Sequence, residues 1–106
     1  MNKIEYKNIE RDRNNLLFII SEMIDVYNMY KYHTQVLECH QWITMLNKRP
    51  LETEYTFDAL LCLKNIMNDA VNYLCAVENR WDDGELAMNL MNNIIKLFNT
   101  NENEKD

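Results

Sequence analysis

Both histidines of this sequence, with one of its three cysteines and four of its aromatic residues, lie between Tyr27 and Trp42. His33, Glu38, Cys39 and His40 form the one cluster with metal-ligand chemistry, because imidazole and thiolate both suit zinc. His33, Leu37 and His40 are four and three residues apart, so on a helix the two imidazoles share a face. The spacing still separates the rings by about two turns, ~10 Å, too far to hold one ion unless another segment supplies ligands between them. A nucleophilic Cys39 would need a base within hydrogen-bond reach. His40 adjoins it, but neighbouring helical residues point about 100° apart, which denies that contact. Cys39, Cys62 and Cys75 are odd in number and sit among apolar residues, the pattern of reduced, buried thiols in a cytoplasmic protein.

Carboxylates give a second route to catalysis. Glu22-x-x-Asp25 matches the second cation-binding pair of the all-α nucleotide pyrophosphatases, but no Glu-x-x-Glu precedes it. Half of the pattern is missing. The clusters Asp82, Asp83, Glu85 and Glu52, Glu54, Asp58 read as charges that complement the positive starts of two helices. No arginine precedes either histidine at the Arg-x4-6-His spacing of helical ribonucleases, and a single glycine cannot build a phosphate loop. The sequence therefore predicts no catalytic residue, no metal and no cofactor. A metal-dependent hydrolase using clustered carboxylates stands as the weakest of three functional readings.

The run Tyr27-Asn28-Met29-Tyr30-Lys31-Tyr32-His33, with Trp42 nearby, is different in kind. On a helix Tyr27 and Tyr30 fall on the core-facing stripe, whereas Met29 and Tyr32 fall off it. Tyr, Trp and Met are enriched at interface cores because they offer large contact area with few rotors. Met29, Tyr32, His33 and Trp42 are thus the candidate protein-binding residues. The competing explanation is boundary packing over a helix end.

These residues must be positioned by helices. Leu16, Ile20, Met23, Tyr27 and Tyr30 keep a 4,3,4,3 spacing and predict a first helix over about 9–30. The stripe then meets polar Thr34, Gln41 and Thr44, and a new one starts at Val36, Cys39, Ile43 and Leu46, flanked by Trp42. This predicts a short second helix, about 35–47, with Thr34 as N-cap. One continuous helix of nearly 40 residues is the alternative. Lys48-Arg49-Pro50 closes this element. Leu60, Leu63, Met67, Ala70, Leu74, Val77 and Trp81 predict a third, central helix over about 56–80. Asp82 and Glu85 have the spacing of a capping box, and behind them Leu86, Ala87, Leu90, Met91, Ile94, Leu97 and Phe98 predict a fourth helix, ending near Asn99, with a face wide enough for two neighbours.

The fold class expected is an all-α, antiparallel bundle of about four helices with no sheet. One Gly and one Pro leave too few turn formers to connect strands. Residues 1–8 are expected to be a flexible N-terminus, 9–99 the bundle and 100–106 a disordered acidic tail. The net charge of −6 disfavours nucleic acid and anionic lipid, and no apolar run is long enough to span a membrane. An acidic helical domain that imitates DNA would need a phosphate-like ladder of carboxylates, which the interleaved Lys and Arg interrupt. What remains first is a non-enzymatic protein-binding module. Its size, its acidity and its 16 asparagines, a bias of AT-rich coding, suggest a small phage or mobile-element inhibitor of a host protein machine, of the anti-defence type. A homo-oligomeric structural or assembly subunit is the alternative.

Overall fold

The computed structural model describes residues 3–6, 8–48 and 54–103. Among these, strand β1 (Lys3–Glu5) leads into helix α1 (Ile9–Met29), helix α2 (His33–Lys48), strand β2 (Glu54–Thr56), helix α3 (Phe57–Asn72), a single π-helical turn (Tyr73–Val77) and helix α4 (Trp81–Asn103). The four helices make a bundle: α1 packs on α2, α3 packs on α4, and the pairs join through contacts of α1 with α3 and α4.

The stripes read from the sequence are the core. Leu16, Ile20, Met23 and Tyr27 of α1, Leu60, Leu63, Met67 and Ala70 of α3, and Ala87, Leu90, Ile94 and Phe98 of α4 are all buried. At roughly 25 cal/mol per Å² of apolar surface removed from water, each fully buried Leu or Ile supplies on the order of 2 kcal/mol. The wide face of α4 does serve two neighbours, α3 and α1. None of the described helices is long and apolar enough to cross a membrane.

Five expectations are corrected. A sheet is present, small as it is: β1 and β2 pair antiparallel with Lys3 opposite Thr56, Ile4 opposite Tyr55 and Glu5 opposite Glu54. Alternation of polar and apolar residues in Lys3-Ile4-Glu5-Tyr6 and Glu54-Tyr55-Thr56 turns Ile4, Tyr6 and Tyr55 inward to join the core. Second, Thr34 is not the N-cap of α2. The helix begins at His33, and the Val36 amide donates to the Tyr32 carbonyl at 3.1 Å.

Third, the regular third helix stops at Asn72. The π turn that follows adds a residue to the ring, shown by the Glu78 amide donating to the Tyr73 carbonyl at 2.9 Å. That extra residue rotates the stripe out of register after Leu74, and Val77 and Trp81 emerge on the surface. Fourth, Asp82 lies inside the first turn of α4, not at its cap. Arg80 holds the cap position, with its carbonyl accepting from the Gly84 amide at 2.9 Å. Gly84 serves a different purpose, since a Cβ there would take the place of the Cys75 Sγ, and its absence lets that thiol pack directly on α4. Fifth, α4 runs on to Asn103, past the expected end near Asn99; residues 104–106 of the expected tail lie outside the described residues.

The first and second helices are separate. Lys31 adopts a left-handed conformation, φ 60°, and its amide donates to the Asn28 carbonyl at 3.2 Å while the Tyr32 amide donates to the Tyr27 carbonyl at 2.8 Å. This is the Schellman pattern, and the hydrophobic contact that accompanies it is the Tyr32 ring lying 6.1 Å from that of Tyr27. Helix α3 is begun by Thr56, whose Oγ1 accepts from the Ala59 amide at 3.2 Å.

Candidate protein-binding surface

The Schellman turn at Lys31 decides what the aromatic run presents. Because α1 ends at Met29, Tyr30 leaves the core stripe that spacing had assigned it and is exposed. Its ring stacks on Tyr32, centroids 6.0 Å apart at 26°, and Tyr73 from the π turn closes the group at 5.6 Å from Tyr30 and 6.4 Å from Tyr32. Tyr27 lies beneath, fully buried, and its hydroxyl donates to the Asp69 Oδ2 at 2.8 Å. Burial, then that hydrogen bond, raises the Tyr27 phenol above its ordinary range. The Tyr73 phenol is pushed up to about 12, chiefly by its hydrogen bond with Tyr32.

The most exposed large apolar side chains of the described chain belong to the helix starts and ends on this side of the bundle: Met29 at 61%, Leu37 at 59% and Trp81 at 65%. Arg80, immediately before Trp81, pairs with Glu22 of α1 and so ties the start of α4 to the last turns of α1. The C-terminal end of α1, the start of α2, the π turn and the start of α4 therefore meet at one end of the bundle.

The four residues expected to bind protein divide three to one. Met29, Tyr32 and His33 are exposed at this end. Trp42 is not: it is 3% exposed, its ring 5.8 Å from that of Tyr55, where it anchors β2 to α2. Leu37, placed by its spacing on the face of His33 and His40, is exposed as well and was missed as a binding residue. Trp81 was hidden by the assumption of an uninterrupted third helix, and Tyr73 carried no signal until the turn around it was known.

Neither candidate for chemistry is assembled. Cys39 is wholly buried, and burial pushes its thiol up to about 12, the opposite of a nucleophile's requirement. Burial also raises Cys62, whose Sγ lies 3.7 Å from Glu38 Oε2. The Glu22 carboxylate is engaged by Arg80, so Glu22 and Asp25 do not present a pair to a cation. Among the described residues no three His, Cys, Asp or Glu are placed to share a metal ion.

The opposite end carries one buried charge. Asp12, 4% exposed, accepts from the Tyr6 hydroxyl at 2.9 Å, Arg11 Nε at 3.1 Å and Asn93 Nδ2 at 3.2 Å. These three donors, with Asn8, Lys96 and Leu97, line an open cavity of about 350 Å³. The carboxylate acts as a lock: it holds Tyr6, next to β1, onto α1 and α4 while Arg11 balances its charge. Compared with protein-family models, with curated proteins and with solved structures, the chain matches none.

Proposed function

We propose that this chain is a non-enzymatic protein-binding module whose docking face is the end of the bundle where α1 turns into α2. One observation carries the reading. Met29, Tyr30, Tyr32 and Leu37 stand exposed within nine residues, with Trp81 at the same end, and no other described residue covers them. A folded domain gains nothing from leaving that much apolar surface in water, and patches of this kind, rimmed by polar groups, mark interaction sites. Their composition is that of interface hot spots, which Tyr and Trp dominate.

Within that reading the chain serves as a small regulator or inhibitor, acting by occupying a surface of a larger protein machine. A phage or mobile-element source with a host target fits its size, acidity and coding bias. The test is affinity capture from the native host's lysate with the wild-type chain beside a Met29→Ser, Tyr32→Ala double variant. The expected result is a partner that the wild type retains and the variant loses while circular dichroism stays the same. Capture unaffected by the two substitutions would reject this face. Light scattering after size exclusion at micromolar concentration, run in parallel, would expose self-association as the alternative use of the surface.

A further inference from the structure

Resting on the reading above, the geometry points to one occupant for this face: we propose that it receives a basic, arginine-bearing segment of the partner protein. The charges around the aromatic cluster are almost all of one sign. Asp25 stands one turn before Met29 on α1, Asp69 takes the Tyr27 hydroxyl beneath the cluster, and at the same end Glu22, Glu78, Asp82 and Asp83 lie about Arg80 and Trp81; the cations are Lys31 and Arg80, and Arg80 is already paired with Glu22. The last turn of α1 and the π turn both end here without a basic side chain, so the negative ends of their backbone dipoles add to the field. Asp82 and Asp83 complement the positive start of α4, yet they still leave the rim acidic.

The ring arrangement selects which cation fits. The stacked Tyr30 and Tyr32, with Tyr73 at an angle to Tyr32, offer aromatic faces, and Trp81, the strongest π-donor among side chains, is the most exposed large apolar residue here. A guanidinium lies flat on such a face and keeps its edge N–H groups for carboxylates at the rim. An ammonium is a compact, strongly hydrated point charge and gains less. The Asp69 carboxylate takes one hydrogen bond from Tyr27 and retains acceptor capacity.

The same charges argue against other occupants. Nucleic acid and anionic membrane meet repulsion. A second copy of this chain in a two-fold dimer would bring the six carboxylates against themselves, a like-charge contact that costs several kcal/mol.

The experiment titrates three synthetic twelve-residue peptides into the isotopically labelled full chain and follows its amide and indole signals by NMR. One peptide alternates Arg with Ser, the second Lys with Ser and the third Leu with Ser. The Arg peptide should move the Tyr32 and Tyr73 amides and the Trp81 indole signal, binding about threefold more tightly than the Lys peptide and weakening as salt screens the rim. The Asp25→Asn, Glu78→Gln double variant should lower that affinity about fivefold with an unchanged melting temperature. Shifts spread over the whole acidic surface, equal affinity for Arg and Lys, or preference for the Leu peptide would overturn the inference. So would a captured partner that needs Tyr32 but binds equally at low and high salt; that result leaves the docking face standing, whereas capture indifferent to Met29 and Tyr32 removes the face itself.

Discussion

The two ends of this bundle dispose of their tyrosines in opposite ways. At the end that carries the strand pair Tyr6 and Tyr55 are buried, and the Tyr6 hydroxyl is spent inside the molecule on Asp12. At the other end Tyr27 is spent in the same way on Asp69, but Tyr30 and Tyr32 lie over it on the surface with Met29 and Trp81. The difference separates side chains that hold the fold from side chains that the fold only displays. A substitution at the strand end should cost stability, and one at the displayed end should cost stability little.

The largest effect is expected from Asp12→Ala. It leaves the buried Tyr6 hydroxyl and the half-buried Asn93 amide without their acceptor and should destabilise the fold by about 3 kcal/mol. A lowering of the melting temperature by roughly 10 °C or more would follow for a domain of this size. Tyr32→Ala should cost less, about 1 kcal/mol, because its ring is 40% exposed and its contacts with Tyr27 and Tyr73 lie at the edge of the core. Equal losses for the two variants would erase the distinction between the ends.

Alkaline pH should sharpen it next. Burial raises Cys39 from its ordinary 9.0 to about 12 and drives Tyr6 and Tyr27 well above their ordinary 10.0. Below pH 9 the folded and unfolded chains carry the same protons on these groups, so the stability is present in full. Above it the unfolded chain sheds protons that the folded chain keeps, and stability falls by up to ~1.4 kcal/mol per pH unit for each group, continuing to about pH 12 for Cys39. Denaturant midpoints between pH 8 and 11 measure this. Tyr6→Phe, which also loses one hydrogen bond at all pH values, should flatten the slope above pH 10. A slope indifferent to that substitution would mean that Tyr6 titrates alike in both states.

The helices were legible because a 3.6-residue period repeated over four or more turns leaves little ambiguity, as Leu60 through Leu74 shows. What escaped was short or depended on tertiary context. Three-residue strands carry too few alternations to stand out, and without β2 there was no Tyr55 to bury Trp42, so a core residue was read as surface. The π turn has no composition of its own; it shows only as a shift in phase, which sent Val77 and Trp81 outward. Both left-handed positions, Lys31 and Asn79, fall on residues other than the expected glycine, so the helix ends had no Gly to announce them. The chain's one Gly is instead used where α4 crosses Cys75. Of the docking face, Met29, Tyr32 and His33 were visible as residues out of phase with a stripe, while Trp81 and Tyr73 required the turn.

Lys31 brings the smallest effect and tests both properties of the displayed end at once. A lysine held at φ 60° opposes its own steric preference at a cost of about 1 kcal/mol, so Lys31→Gly should raise stability by about 0.5–1 kcal/mol, seen as a higher denaturant midpoint at constant slope. Removing the charge also removes one of the two cations beside the aromatic cluster. Lys31→Asn separates the two changes, because asparagine tolerates the left-handed region and is neutral. If both variants stabilise the fold and also tighten binding of the arginine peptide, the turn carries strain and the face reads charge. If Lys31→Gly stabilises while neither variant alters the peptide's affinity, the strain is there but the acidic rim does not select the partner.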